Sequence, residues 1–202
     1  MQALEGELDV VAALKTATTD QHQSIERITP FFAEDFSLHS YRAILRLFWG
    51  FYEPVETGLA SIPGWDLISI DIEQRRRAPL LRKDLLALGM PPSDFDCLPR
   101  CEDLPALSSL DDGIGCLYVL EGSTLGGQLI ARQVANRFGL NKDNGSAFFE
   151  GYGERTGTMW MQFCSSVRLH DEGTFSRGAR LAAAKSTFAS IEAWMRKAGL
   201  HE

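Results

Sequence analysis

The stretch Leu117-Tyr118-Val119-Leu120-Glu121-Gly122-Ser123-Thr124-Leu125-Gly126-Gly127-Gln128-Leu129-Ile130-Ala131-Arg132 restricts the fold more than any other part of the chain. Apolar positions 116, 117, 120, 125, 129 and 130 recur at three- and four-residue steps, which is the period of a helix. Glycines nevertheless interrupt it at 122, 126 and 127, and two more precede it at 113 and 115. Each interior glycine costs about 0.5–1 kcal/mol relative to alanine. A helix that keeps three of them must need the missing side chains. Either another helix packs closely there, or a flat ligand has to approach the backbone.

The bulk properties narrow the choice. At 202 residues the chain is expected to form one domain, residues 1–202 with a core over about 10–197, large enough to bury a sizeable interior. Its 45% hydrophobic and 23% charged content is that of an ordinary globular protein. A net charge of -7 argues against nucleic acid as a partner, because phosphate binding needs a basic face. No apolar run approaches a membrane span, and Met1–Glu7 lacks the basic and apolar regions of a signal peptide. The expectation is a cytoplasmic protein with no membrane partner. Cysteines 97, 101, 116 and 164 follow no C-x-x-C pattern and stay out of the chemistry.

Along the chain, Asp9 can cap a helix over Val10–Arg27 whose stripe Val11, Leu14, Thr18, His22 and Ile25 turns His22 towards the interior. Glu26 lies one turn beyond His22, placed to orient an imidazole. Lys15 lies seven residues before His22 on nearly the same face, about 10 Å along a continuous helix. Taken alone, these three read equally as a core histidine and two solvated charges. A second helix is expected over Leu38–Ser61, kinked or restarted at Pro54, and a third over Ile70–Leu88, ended by Gly89. Arg75-Arg76-Arg77 on that third segment reads as a solvated face, with docking of an electron donor as the lesser alternative. Residues 90–108, with four prolines, form a loop packed along one side. The glycine-punctuated helix spans Asp111–Phe138. Further helices cover Ala147–Leu169, interrupted at Gly151–Gly153, and Thr174–Lys197, capped by Thr174 and stopped at Gly199. With no strand alternation, the chain reads as all-α, with six to eight helices and kinks at Pro54 and Gly122–Gly127.

Two stretches about a hundred residues apart carry a family resemblance. Leu14-Lys15-Thr16-Ala17-Thr18-Thr19-Asp20-Gln21-His22-Gln23-Ser24-Ile25-Glu26 is similar to the proximal helix of haem oxygenases, and Tyr118–Gln128 to their glycine-rich distal helix. Pro79–Leu85, Thr156–Trp160 and Ala184–Phe188 match the family's style more weakly. The chain most resembles bacterial, biliverdin-producing members associated with phytochromes. The resemblance implies a single-domain multi-helical fold with haem between a proximal and a kinked distal helix. It implies haem b as both cofactor and substrate, cleaved with O2 and external electrons to biliverdin, carbon monoxide and ferrous iron. His22 would ligate the iron, Glu26 would orient His22, and Lys15 would pair with a propionate. Gly122 and Gly126 would let bare backbone approach the haem, with Gly127 serving the bend and Arg132 lining the pocket. The electron donor would be a ferredoxin or flavodoxin with its NADPH reductase, since the chain has no G-x-G-x-x-G of its own. A bacteriophytochrome would be the recipient of biliverdin.

The pattern departs from the family at one position. Many members carry Asp directly after the first distal glycine, where it organises proton-delivering water; here it is Ser123. Glu121, just before the glycine, is a candidate substitute and equally a candidate surface carboxylate. Arg155, Arg177 and Arg180 are further candidates for propionate contact, and a basic residue often found after the Trp160 position is here Met161. Two other functions stand beside the leading one: a non-catalytic haem sensor or carrier on the same fold, and a di-iron enzyme. The latter wants several carboxylates with E-x-x-H spacing, whereas His22 precedes Glu26 and has few partners.

Overall fold

The computed structural model describes residues 9–171 and 176–199. They form α1 (Val10–Ala17), α2 (Thr19–Ile28), α3 (Leu38–Ser61), α4 (Ala78–Ala87), α5 (Leu110–Phe138), α6 (Ala147–Glu150), α7 (Thr156–Leu169) and α8 (Arg177–Lys197), with short 3-10 turns between them. There is no strand among the described residues, and no described helix is long and apolar enough to cross a membrane. The all-α expectation holds.

Most helix starts follow from a side-chain cap. Asp9 accepts from Val11 N at 2.9 Å, Ser37 from Ser40 N at 3.1 Å, Ser109 from Asp112 N at 3.2 Å and Ser176 from Ala179 N at 3.2 Å. The expected Thr174 cap lies outside the described residues, and Ser176 caps α8. Two later helices are capped from a distance. Glu56 on α3 accepts from Arg77 N at 2.6 Å and Ala78 N at 3.0 Å, which closes the first turn of α4. Asp84 on α4 accepts from Ala147 N at 2.7 Å and Phe148 N at 2.8 Å, which does the same for α6. Both carboxyls are buried, and desolvation raises them to about 7 and about 6.

Helix α5 is the axis. It packs most extensively on α8 and also against α6, α7 and α3. Its first half is buried on every side, as Ile114, Cys116, Leu117, Tyr118, Val119 and Leu120 show. The two glycines there permit helix contact. A Cβ on Gly115 would collide with Arg180 O and Ala183, and one on Gly113 would come within 2.8 Å of Trp65. The loop over 90–108 straps α3 to α8: Cys101 N donates to Gly50 O at 2.9 Å, and Ser190 Oγ donates to Asp103 O.

Three expectations are corrected. The single helix over Val10–Arg27 is two helices, broken at Thr18, whose φ of -116° and ψ of 7° leave the helical region while its hydroxyl donates to Leu14 O. Of the helix expected over Ile70–Leu88, only Ala78–Ala87 is α-helical, because Glu56 draws Arg77 N and Ala78 N into a cap where a continuous helix would have used them. At Pro54 and Gly122–Gly127 neither helix restarts; α3 and α5 run through both sites. Arg75 and Arg77 are no solvated face but lie buried.

Candidate functional site

Helix α2 is tied to α5 at both ends. At its start, the Thr18 hydroxyl, which donates to Leu14 O, lies near the Tyr118 phenol of α5. Just past its end, Phe31 meets Phe149 at 5.2 Å, Phe36 meets Phe138 at 5.7 Å, and Arg137 donates to Ala33 O at 2.8 Å and to Glu34 O. The two helices therefore run side by side in the same direction from Tyr118 to Phe138. Between the ties, α2 rests on α8: Ser24 Oγ donates to Glu192 at 2.9 Å, and the His22 ring meets Phe188 edge-on at 6.1 Å.

The α5 face between those ties is uncovered. Gly122, Leu125, Gly126 and Leu129 share one side at helical spacing. Leu125 is 43% exposed and Leu129 57%, unusual values for leucines in a central helix. A Cβ on Gly126 would meet nothing within 4 Å, and one on Gly122 would only touch Trp160 at 3.8 Å. These two glycines therefore have no helix-packing explanation. Gly127 does: its Cβ would lie 2.9 Å from Phe149 O, so its bare Cα allows the close contact with α6.

His22 is not buried as the stripe implies. Its side chain is 57% exposed, on the helix that begins after the break at Thr18. Nδ1 lies 3.6 Å from Glu26 Oε1, beyond hydrogen-bond length but within reach of a bridging water, and Nε2 is not engaged by Glu26. The same break separates Lys15 from His22, so the axial spacing of a continuous helix does not apply to them. Lys15 is exposed near the end of α1, and Arg132 is exposed with its Nε donating to Gln128 O at 3.3 Å, at the far end of the open α5 face.

Three charged candidates belong elsewhere. Arg180 is fully buried and fastens α8 to α5 and α7, with Nε donating to Asp111 at 2.7 Å and Nη2 to His170 O at 2.7 Å. Arg177 is paired with Asp171. Glu121 is neither a surface carboxylate nor on the open face. It is 1% exposed, accepting from Arg75 Nη1 and from the Tyr152 hydroxyl, each at 2.6 Å. Burial pushes its carboxyl up, and Arg75 opposes that. Arg155 is exposed just ahead of α7.

Ser123 is placed differently from all of these. It is exposed beside the open face, and its Oγ donates to Leu120 O at 2.7 Å and lies 3.1 Å from the Tyr52 hydroxyl of α3. Tyr52, Thr18, Tyr118, Arg75 and Trp160 are the residues that sequence reading left among the core or the solvated charges. Their polar atoms carry no periodic signal. The one hint was the cluster of three arginines directly ahead of a helix start at Pro79.

An open apolar face with two bare glycines, opposite a half-exposed imidazole, suits a flat apolar ligand with one coordinating centre. Among the described residues no group of three or more His, Cys, Asp or Glu side chains is placed to hold a metal ion.

The family model described as heme oxygenase matches residues 8–197. A heme oxygenase of Xanthomonas campestris pv. campestris (strain 8004) is 33% identical over 147 residues, covering 71% of this chain and 79% of its own. The fold is that of solved heme oxygenases. The Neisseria meningitidis protein, solved with NO and CO bound, superposes with a TM-score of 0.79 at 22% identity over 96% of this chain and 94% of its own. The Leptospira interrogans protein gives 0.77 at 17% identity, covering 94% of this chain and 100% of its own. Heme oxygenase-1 of Synechocystis sp. PCC6803, solved in complex with heme, gives 0.74 at 15% identity over 94% and 92%.

Proposed function

This chain belongs to the haem oxygenase family, and on that premise we propose that it cleaves haem to biliverdin, carbon monoxide and ferrous iron, with the haem held between α2 and α5. The observation that carries this is the uncovered Gly122–Leu129 face of α5, where an added Cβ at Gly126 meets only open space. Haem is substrate as well as cofactor, and when bound it supplies the iron at which O2 is activated by external electrons.

The chain's own residues hold and orient. His22 ligates the iron through the nitrogen that Glu26 leaves free, and Glu26 steadies the ring from the Nδ1 side. Gly122 and Gly126 keep the opposite face clear of side chains. Leu125 and Leu129 exclude water from it. Lys15, exposed at one end of this region, pairs with a propionate, and Arg132, exposed at the other, lines the pocket. Ser123 stands at the edge of the face with a hydroxyl. Electrons come from a ferredoxin or flavodoxin with its NADPH reductase in the cytoplasm, and a bacteriophytochrome takes the biliverdin.

Titration of the purified protein with haemin tests the assignment. Wild type is expected to bind one equivalent and, given a reductant and O2, to convert the Soret spectrum to that of biliverdin. His22→Ala is expected to lose the wild-type ferric spectrum. An unchanged ferric spectrum in His22→Ala would remove the ligand assignment. Haem that binds yet stays intact with a competent donor would leave a carrier in place of an enzyme.

A further inference from the structure

Helix α2 carries His22 but has little of its own to hold it in place. Breaks bound it at Thr18 and at Thr29, whose φ of -97° and ψ of 115° are extended. Thr18 gives it no side-chain cap, and Ile28 is its one buried residue. Ten residues with so small a buried face do not by themselves fix the rotation of a helix. Contacts with α8 fix it instead. On one flank Ser24 Oγ donates to Glu192 Oε1 at 2.9 Å. On the other the His22 ring meets Phe188 edge-on at 6.1 Å, with 76° between the ring planes. At 3.6 residues per turn, Ser24 and His22 stand about 160° apart around α2, so the two contacts oppose rotation in opposite senses. Their α8 partners, Phe188 and Glu192, lie one turn apart on a single face. The next turn supplies Arg196, whose Nε and Nη2 donate to the same Glu192 Oε1 at 3.0 and 2.9 Å. That pairing holds the half-buried carboxylate in one rotamer and offsets its charge.

We propose that Glu192 is a positioning residue for the haem site: by accepting from Ser24 it sets the rotation of α2 and so the aim of the His22 imidazole. Side chains reach about 5–6 Å from a helix axis, so each 10° of rotation displaces the ring by about 1 Å. An error of that size is costly for a group that must meet a fixed centre. Glu26 cannot correct it, because it sits on α2 and turns with His22. The reference must come from another helix. Helix α8 provides it, since it packs along α5 and is fastened there by Arg180 Nε donating to Asp111 at 2.7 Å. The inference rests on His22 as the iron ligand, and the test separates the two.

Haemin complexes of wild type, His22→Ala, Ser24→Ala, Ser24→Thr, Glu192→Ala and the Ser24→Ala/Glu192→Ala double variant are compared in three ways. These are haemin affinity by spectroscopic titration, the iron–histidine stretching band of the reduced complex by resonance Raman, and thermal unfolding of the haem-free protein. The band reports the bond from His22 to iron, which a loss of fold stability alone does not move. Ser24→Ala and Glu192→Ala are each expected to lower haemin affinity about fivefold, as the loss of one hydrogen bond would, and to shift the band to lower frequency. The double variant is expected to match the single ones, because both remove the same bond. Ser24→Thr keeps the hydroxyl and is expected to restore the wild-type band. A band unmoved in Ser24→Ala, or shifts that add in the double variant, would overturn the positioning role while leaving His22 as the ligand. A wild-type complex without the band, or the same band in His22→Ala, would overturn the ligand assignment and this inference with it. Should Glu192→Ala fail to fold, Ser24→Ala against Ser24→Thr decides: equal bands overturn the inference.

Discussion

Two pairs of glycines on one helix behave in opposite ways. Gly113 and Gly115 lie where α5 is enclosed, and a methyl group at either would run into Trp65, Ile62, Arg180 or Ala183. Gly122 and Gly126, two to three turns on, have space in front of them. In the first pair the absent side chain brings another helix close. In the second it leaves room that no protein atom takes. A residue type so costly to a helix is kept for packing at one end and for a ligand at the other, and only the surroundings tell the two apart.

The sharpest contrast lies between neighbours. Gly122 borders the open face, while Glu121 is sealed behind it with Arg75 and Tyr152. Arg75→Ala strands a buried carboxylate and is expected to destabilise the fold by about 3–5 kcal/mol, read by urea unfolding. His22→Ala, on the exposed side, is expected to change stability by less than about 0.5 kcal/mol. Equal losses from the two would erase the distinction between a packed and an open side.

The packed side also carries the pH dependence. Glu56 titrates near 7 in the folded protein against an ordinary 4.5, because desolvation outweighs the two amide bonds it accepts. Between those values the folded state holds the extra proton, so stability is present in full at the acidic end and lost as pH rises to 7. At 1.36 kcal/mol per pH unit the loss is on the order of 3 kcal/mol. Glu56→Gln is expected to flatten unfolding free energy over that window, with its deficit against wild type shrinking as pH rises. Parallel curves for the two proteins would show that Glu56 is not the titrating group. Asp84 adds a change of the same sign at lower pH and is common to both.

Glycine substitutions test the opening contrast directly. Gly115→Ala forces a methyl group into the α8 backbone and is expected to cost about 1–3 kcal/mol. Gly126→Ala is expected to gain about 0.5–1 kcal/mol, the helical preference for alanine, because nothing stands in its way. Gly126→Leu is expected to fold as well as Gly126→Ala and to lose haem binding or turnover, seen in a haemin titration. Normal biliverdin formation by Gly126→Leu would mean the open face is not where haem lies.

The all-α fold, the long glycine-bearing helix and the interruption at Gly151–Gly153 were legible because periodicity and glycine punctuation are local. So was the likeness to haem oxygenases. Tertiary capping was not. Nothing near Arg75-Arg76-Arg77 announces that Glu56, about twenty residues earlier, takes Arg77 N and Ala78 N, or that Glu121 takes Arg75. A run of arginines looks solvated until its partners are placed. The exposure of His22 was missed for a related reason: the chain leaves the helical region at Thr18, and a threonine on an apolar stripe gives no sign of that. Ser123 was visible as a departure, but its Tyr52 partner was hidden among aromatics at core spacing.

The smallest expected effect on stability belongs to the open face itself. Leu129 is 57% exposed and Leu120, on the enclosed part of the same helix, is 4% exposed. Leu120→Ala empties a filled site and is expected to cost about 2–5 kcal/mol, as large-to-small core changes do. Leu129→Ala removes little that the folded chain has buried and is expected to shift stability by no more than about 0.5 kcal/mol. Its cost appears when the ligand arrives. Full burial of a leucine stabilises by about 1.5–3 kcal/mol, and roughly half of that remains to be gained at this site. Haemin affinity of Leu129→Ala is therefore expected to fall about fivefold, by spectroscopic titration, with the unfolding curve of the haem-free protein unchanged. Were affinity unaffected, the exposed leucine would be surface and not the wall of a haem site. A large loss of haem-free stability would instead place it in the packed half of the helix.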